Sequence, residues 1–307
     1  MGAGARFGYK GDVWKSQSRR GAMMPAVSLR VASGGPPTAR LPGARRMTGD
    51  GWRLAAFPAL ILAALLAVPH EARAADCPTV FDTMAHVTGI DASGDLILSD
   101  ARIARLAGLA FDDDMPPVRA ALEQLAVGRA IAIASTSMKP DRYGRLSGLI
   151  RVGEDGPTLQ QALLVRGLAL AQPEEGMLGC MPEHVEAERP AREKRLGLWA
   201  RLPLAARDIA ALNARQGRFT ILTGRVRSVG KGRGVDYLNF GPIWRQDTTV
   251  RLDSRARAAF EQADVPLEAF AGRQILVRGV VFEAGGPAID VRWTEQVDAG
   301  SGTGVGN

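Results

Sequence analysis

The pattern of apolar and polar residues before residue 200 predicts a small sheet flanked by helices. Short apolar runs separated by Gly, Asp and Ser indicate strands and turns, whereas Val118, Leu122 and Leu125 recur at helical spacing. Three strands, a helix and two strands are the element order of an OB-fold barrel, which binds oligonucleotides. Strands are predicted over 85–90, 95–99, 102–109, 130–135 and 146–152, and helices over 117–126, 159–167 and 183–198.

The same element order recurs after residue 215. Strands are predicted over 219–229, 235–240, 248–252, 274–283 and 288–293, a helix over 254–263, and a linking helix over 204–214. We therefore expect a mainly β fold with α (α+β), built from two tandem OB-fold-like five-stranded β-barrels, the first with C-terminal helices. The predicted segments are a first domain over 75–200, a linker helix over 201–215, a second domain over 216–298 and a disordered tail over 299–307.

The segment before residue 75 has the features of an export signal. The apolar run 54–68 is too short for a comfortable membrane span, and Ala72-Arg73-Ala74 supplies a cleavage pattern. We expect a signal peptide over 47–74 that is cleaved after Ala74; an uncleaved anchor is the alternative. Residues 1–46 are a disordered leader or lie upstream of the real start. These features predict a periplasmic or secreted protein, without stable membrane insertion after cleavage.

The positive charge is unevenly distributed along the chain. The formal net charge is +7 over 307 residues, but 1–74 hold 11 Lys and Arg against 3 Asp and Glu. Residues 75–200 hold 13 basic against 18 acidic residues, and 201–307 hold 15 against 11. Any attraction for polyanions is therefore expected in the second domain.

Cys77 and Cys180 are the only cysteines. A pair of cysteines in an exported chain is most simply a disulfide. We therefore predict a disulfide between these two residues.

Candidate chemistry is concentrated between residues 91 and 145. Arg105 lies on an otherwise apolar predicted strand, which is followed by three acids at 112–114, and Arg145 begins a later strand. Arginine forks bind phosphate oxygens at two points, and clustered carboxylates hold a hard divalent cation. The combination predicts a phosphodiester site.

Four segments resemble the staphylococcal-type thermonuclease family, in family order: GDLILSDARIARLAGL, DRYGRLSGLI, LLVRGLALA and EAERPAREKRLGLW. The resemblance implies a Ca²⁺-dependent hydrolase of DNA and RNA on a five-stranded OB barrel. Its active site would use two arginines, a glutamate, and aspartates on calcium. The later run YLNFG resembles an accessory domain found beside such domains in some exported bacterial proteins.

Carried over onto this sequence, the two arginines fall on Arg105 and Arg145, and the general base on Asp113. The aspartate that binds metal falls on Ala110, which cannot ligate a cation. The candidate ligands that could replace it are Asp91, Asp95 and Asp112.

Each of these assignments has a structural alternative. The acids at 112–114 could stabilise the dipole of the helix that follows them. Arg145 could be a strand-edge arginine in an ion pair. Glu174 and Glu175 are interpreted as residues of a solvated loop.

The second domain carries basic residues interleaved with aromatic ones. The candidate nucleic-acid-binding residues are Lys231, Arg233, Tyr237 and Trp244, because such patterns suit stacking of single-stranded bases. Packing of Tyr237 and Trp244 at the barrel rim is the alternative.

Two functions from different classes remain open. The first is an exported thermonuclease-family hydrolase with an eroded metal site. The second is a catalytically inactive nucleic-acid- or protein-binding module of the cell envelope. DNA or RNA is the expected partner; the sequence identifies no protein partner, and we expect a monomer.

Overall fold

The structure is a computed structural model that describes residues 77–137, 139–153, 156–243 and 245–300. All of these residues belong to one compact unit, Ala67–Asn307. The predicted leader and signal peptide, the candidate Trp244 and most of the predicted tail lie outside the described residues. Within the described residues, no helix is both long and apolar enough to span a membrane.

The first sheet contains a closed five-stranded barrel. The strands before residue 200 are β1 (Thr83–Ile90), β2 (Leu96–Leu98), β3 (Ile103–Leu106), β4 (Leu109–Ala110), β5 (Ala130–Ser135), β6 (Arg145–Val152) and β7 (Leu170–Ala171). The barrel order is β1-β2-β3-β6-β5, in which β3 and β6 are parallel and the other pairs antiparallel. This confirms the predicted five-stranded barrel.

One predicted strand of this barrel divides into two. The run 102–109 forms β3 and β4, because Gly108 adopts a left-handed φ of 77° that turns the chain away from the barrel. β4 then pairs with β7 rather than with a barrel strand. This pairing brings the chain that follows β7 back to the outside of the barrel.

Apolar residues that alternate along the strands fill the barrel, and three helices pack against them. Val87, Leu98, Leu106, Ile133 and Ile150 belong to this core. The helices are α1 (Met115–Ala126), α2 (Leu159–Leu164) and α3 (Met181–Glu193), with 3₁₀ turns at Leu178–Cys180 and Gly197–Ala200.

The ends of α2 and α3 follow local signals. Helix α2 begins at a capping box, in which Thr158 accepts from the backbone N–H of Gln161 and Gln161 accepts from that of Thr158. Helix α3 is shorter than the predicted 183–198, because Arg195 (φ 53°) and Gly197 (φ 51°) are left-handed.

The second sheet has eight strands. Its order follows that of the first barrel when the two strands between residues 219 and 230 are counted as one. Its strands are β8 (Leu204–Ala205), β9 (Phe219–Arg225), β10 (Ser228–Gly230), β11 (Val235–Asn239), β12 (Thr249–Asp253), β13 (Gln274–Glu283), β14 (Pro287–Val291) and β15 (Val297–Asp298). The order is β10-β11-β12-β14-β13-β9-β8, with β15 on β13. Helix α5 (Ser254–Gln262) follows β12, and a 3₁₀ turn at Leu267–Phe270 precedes β13; another at Thr294–Gln296 precedes β15.

The strand predicted over 219–229 is broken into β9 and β10. The N–H of Val226 donates to Arg273, beside β13, whereas the N–H of Arg227 donates to Asn239 of β11. Consecutive residues therefore bond to two separate parts of the sheet. An open path of seven strands, with β10 at one end, β9 near the other and β15 beside β13, stands where the sequence predicts a closed five-stranded barrel.

The linker predicted as a helix over 204–214 is mostly not helical, so that prediction was wrong. Residues Leu204–Ala205 form β8, which pairs with β9, and the N–H of Ala206 donates to Thr223. The helix α4 (Ile209–Asn213) begins only after Asp208, whose carboxylate accepts from the N–H of Ala211. Pairing with β9 occupies backbone groups that a longer helix would need.

A shared interior joins the two sheets. An apolar cluster combines residues from both sides of residue 200: Ala110, Leu170, Ala191, Trp199, Leu202 and Ile221. Beside it, Arg278 of β13 forms a buried ion pair with Glu188 of α3 at 3.1 Å. A disulfide joins Cys77 to Cys180, the pair that the sequence predicts, with Cα atoms 4.6 Å apart.

Candidate functional site

The two candidate arginines lie on the same outer wall of the first barrel. Strands β3 and β6 are neighbours, with Arg105 opposite Ser147 and Ile103 opposite Arg145. Ala104 and Leu106 point into the core, so Arg105 between them points outward. Its Nε donates to Ser147 Oγ at 3.0 Å. The strand pattern alone therefore brings the two predicted arginines together.

Glu174 holds Arg105 in a two-point ion pair. Arg105 Nη2 donates to Glu174 Oε1 and Oε2, both at 2.7 Å. Burial raises the pKa of Glu174, although Arg105 and the backbone of Gly108 oppose the shift. The expectation of a solvated loop was therefore wrong for Glu174.

No local sequence signal identified Glu174, which is 69 residues from Arg105. The pairing of β4 with β7 carries Glu174 back to the barrel, where the N–H of Gln172 donates to Gly108 at 2.8 Å. The only available signal was indirect: an arginine on an apolar strand requires a partner.

Arg145 is held by two aspartates. Its Nη1 donates to Asp95 Oδ2 at 2.9 Å, and its Nε donates to Asp141 Oδ2 at 2.9 Å. Asp141 also accepts from the backbone N–H groups of Tyr143 and Arg145. Burial raises the pKa of Asp141, but these hydrogen bonds outweigh it and lower the pKa overall. The ion-pair alternative for Arg145 is therefore the arrangement in the structure.

Asp91 and Asp95 adjoin this arrangement from the β1–β2 turn. Asp91 Oδ1 accepts from the N–H groups of Ser93 and Asp95 at 2.8 and 2.9 Å. Asp95 is 5% exposed, and burial raises its pKa, while Arg145 lowers it and Asp91 adds to the rise. Arg105 also acts on Asp95, and Arg145 on Glu174, so both arginines share one site.

This arginine site is acidic overall. Two guanidinium groups form ion pairs with Asp95, Asp141 and Glu174, and the Asp91 carboxylate lies close enough to act on Asp95. A phosphate that approaches Arg105 Nη2 must compete with the Glu174 carboxylate, because both present oxygens to the same nitrogen. The site can therefore hold arginines in a defined geometry, but it does not present free positive charge.

Asp112 and Asp113 are directed away from the arginine site. Asp112 accepts from Arg215 Nη1 at 2.8 and 3.0 Å and from Arg201 Nη2 at 2.6 Å. Asp113 forms an ion pair with Arg218 at 2.5 Å. All three arginines follow residue 200, so these carboxylates connect the first barrel to the second sheet.

The pKa of Asp112 reflects these contacts. Burial raises it, but the hydrogen bond from Arg215 and the nearby charges outweigh burial and lower the pKa overall. The alternative is that the acids at 112–114 stabilise the start of α1. Asp114 is the N-cap residue of this helix, but its side chain forms no capping hydrogen bond.

The available donors do not fit a calcium ion. Calcium takes six to eight oxygen ligands, yet Asp112 lies with its arginines and Ala110 is buried in β4. Within the described ranges, no group of three or more His, Cys, Asp and Glu side chains could hold a metal. The candidate ligands Asp91, Asp95 and Asp112 therefore do not form one group.

The candidate nucleic-acid-binding residues of the second sheet lie around strand β11. Lys231 forms an ion pair with Glu268, and Arg233 is exposed in the turn that follows β10. Tyr237 is 36% exposed on the outer face of β11. Lys231 is thus in an exposed ion pair, whereas Tyr237 presents its ring to the solvent.

Comparison with known proteins identifies the first domain. Residues 119–201 match the family model described as Staphylococcal nuclease homologue. A search of curated proteins gives no match. The matched segment begins in α1 and includes β5, β6, α2, α3 and Arg145. Together with the closed five-stranded barrel, this match identifies an SNase-like domain in this part of the chain.

Proposed function

We propose that this chain is an SNase-family protein that binds nucleic acid without cleaving it. The observation that carries the proposal is the position of Asp113, onto which the family resemblance places the general base, and of Asp112, a candidate metal ligand. Their carboxylates form ion pairs with Arg201, Arg215 and Arg218. Burial raises the pKa of Asp112, but the hydrogen bond from Arg215 and the nearby charges outweigh it and lower the pKa overall, which makes this carboxylate a poor proton acceptor.

The arginine site supports the same conclusion. Glu174 accepts from Arg105 Nη2 and Ser147 from Arg105 Nε, while Asp95 and Asp141 form ion pairs with Arg145. Stabilisation of a phosphorane-like transition state needs positive charge that is available to it. Here the carboxylates of the protein itself take that charge.

Nucleic-acid binding is supported by the second domain. Residues 201–307 hold 15 Lys and Arg against 11 Asp and Glu, which favours a polyanionic partner. DNA and RNA share this chemistry, so the proposal covers both. Export to the periplasm or the medium is part of the proposal, and the Cys77–Cys180 disulfide supports it because such bonds persist in oxidising compartments.

A cleavage assay tests the proposal. Plasmid and single-stranded DNA are incubated with the purified protein and with Arg145→Ala, in Ca²⁺, Mg²⁺, Mn²⁺ or a chelator, beside an added nuclease as positive control. We expect no metal-dependent products with either protein. Calcium-dependent cutting by the native protein that is lost in Arg145→Ala would overturn the proposal.

A phosphodiester hydrolase is the second candidate, and one observation favours it. Glu174 adjoins Arg105 and has a raised pKa because of burial, as catalytic bases often do. In that case Glu174→Gln should abolish cutting while the native unfolding midpoint is retained. Unchanged cutting in Glu174→Gln would exclude this role.

A further inference from the structure

We infer that single-stranded nucleic acid binds across the outer face of the second sheet. The site consists of Tyr237, Arg251, Phe282, Arg292 and Trp293, which we call the sheet track. The inference rests on the proposed function, to which it adds the position of the binding site and a preference for single-stranded nucleic acid.

The strand register makes the sheet track continuous. Leu238, Val250 and Ile289 point into the core, so their neighbours along each strand point outward. Tyr237 lies opposite Arg251, and Arg251 lies opposite Asp290. The adjacent outer row consists of Asn239, Thr249, Ala288 and Phe282.

Three hollows follow this face and share lining residues. The first has a volume of about 330 Å³ and is lined by Tyr237, Asn239, Thr249, Arg251 and Ala284. The second, of about 160 Å³, shares Arg251 with the first. The third, of about 350 Å³, shares Arg292 with the second and includes Phe282 and Trp293. Shared residues make the three hollows one path.

The side chains of the sheet track suit bases and phosphates. The Arg251 guanidinium lies 5.1 Å from the centre of the Phe282 ring, so a cation and an aromatic face are presented together. Successive bases of a single strand stack on such aromatic side chains, while arginines follow the backbone. Stacked bases inside a duplex cannot reach these rings, which favours single strands.

The cations of the sheet track are available to a phosphate. Arg292 is exposed and forms no ion pair within the described part of the chain. Arg251 lies 3.3 Å from Asp290 in a partly exposed pair, and pairs of this kind contribute little. A phosphate can therefore compete for Arg251 and bind Arg292 directly.

The sheet track also leads to the arginine site of the first barrel. Glu174, which holds Arg105, lines the third hollow together with Arg292 and Trp293. A single-stranded nucleic acid bound to the sheet track would thus pass beside Arg105 and Arg145. The charges of these two arginines are already paired with carboxylates.

Fluorescence anisotropy with a labelled oligothymidylate of about 20 nucleotides, longer than one OB-sized site, tests this inference. Tyr237→Ala and Trp293→Ala should each weaken binding about fivefold to 100-fold, the range for loss of one stacked base. Tyr237→Phe keeps the ring and should restore most of the affinity. Arg292→Gln should also weaken binding and reduce its salt dependence, because one phosphate contact is lost.

The matched control is Arg255→Gln, which removes an exposed arginine on α5, outside the sheet track. It should bind within about twofold of the native protein, as one distant charge is screened by salt. Urea unfolding of every variant excludes loss of fold as the cause of weaker binding.

The outcomes separate this inference from the proposed function. Native binding that neither Tyr237→Ala nor Trp293→Ala weakens would overturn the sheet track and leave the proposed function standing. Equal affinity for a duplex of the same length would also overturn it. Failure of the native protein to bind any oligonucleotide would overturn both. Track-dependent binding accompanied by cutting would support the sheet track and overturn the non-cleaving function.

Discussion

Glu188 and Arg278 are a charged pair almost wholly removed from solvent, at 2% and 4% exposure. Glu188 accepts from the N–H of Ala171 at 2.7 Å, and Arg278 donates to the carbonyl oxygen of the same residue at 2.7 Å. Arg278→Met would leave the carboxylate buried without its counter-charge. We expect a loss of about 3 kcal/mol or more in the free energy of unfolding, measured with urea.

A second variant and a control make this prediction specific. Adding Glu188→Gln to Arg278→Met should recover part of the loss, because the remaining charge is removed and the acceptor for Ala171 is kept. Arg189→Met breaks an exposed pair with Glu186 on the same helix and should leave the unfolding midpoint near the native value. A double variant less stable than Arg278→Met would contradict the buried-charge explanation.

His184 should make stability depend on pH. It is 2% exposed, and burial lowers its pKa from 6.5 to about 4, with Arg278 adding to the shift and the Gly108 backbone opposing it. Between these values the unfolded chain binds a proton that the folded protein does not bind. Stability should therefore fall as pH drops from 6.5 to 4, by about 3 kcal/mol from this residue.

The comparison with His184→Leu isolates this contribution. The native protein should lose stability relative to the variant across that window, in urea titrations at successive pH values. Carboxyl titrations are common to both proteins and cancel in the difference. Parallel profiles for the two proteins would show that His184 does not carry the effect.

At the residue scale, the sequence could predict candidates but not their partners. Arg105 is conspicuous between apolar strand residues and Arg145 is indicated by the family resemblance, and the structure places both on one wall. Glu174 was missed because its contact with Arg105 spans 69 residues. The contacts of Asp112 depend on Arg215, which is 103 residues away. No local pattern encodes such distances.

Gly148 is the tightest point among the strands of the first barrel. It pairs with Leu106 of β3 on one side and Ser135 of β5 on the other. A Cβ atom at this position would clash with the carbonyl oxygen of Ala134 and lie 2.9 Å from its carbonyl carbon. Gly148→Ala should therefore cost about 3 kcal/mol of unfolding free energy, because backbone must move to relieve the overlap.

Gly89→Ala is the matched control for this prediction. It lies in β1 of the same barrel, where the nearest neighbour of an added Cβ would be Ile97 Cδ1 at 3.6 Å, an ordinary contact. Its stability should stay within about 1 kcal/mol of the native value. Similar losses in the two variants would show that the close approach of β5 and β6 is not the cause.

At the element scale, the order of strands and helices was predictable and their interruptions were not. The alternation of apolar residues located the barrel strands because one face of each is buried. The division of 102–109 depends on Gly108 and on the distant partner β7, and the division of 219–229 depends on two different partner strands. The linker over 204–214 was mispredicted because pairing with β9 overrides helix propensity.

The disulfide should stabilise the whole molecule. Cys77 and Cys180 close a loop with a sequence separation of 103 residues, and closing loops of that length restricts the unfolded chain by about 5 kcal/mol. The double variant Cys77→Ala and Cys180→Ala should lose about that much in urea unfolding. An unchanged midpoint after replacement of both cysteines would contradict this expectation.

At the scale of the whole molecule, two similar sheets in tandem followed from the repeated element order, whereas their junction did not. The junction combines the buried Glu188–Arg278 pair with an apolar cluster around Trp199 and Ile221. It also engages Asp112 and Asp113, the acids expected at a catalytic site. We propose that these contacts leave an SNase-like protein that binds nucleic-acid strands and does not cut them.

The most direct test measures binding and integrity in the same sample. An end-labelled single strand is saturated with protein in calcium, followed by anisotropy, and then separated on a denaturing gel. We expect a bound strand of full length, for both the native protein and Arg145→Ala. Shortened strands with the native protein and intact strands with Arg145→Ala would contradict it.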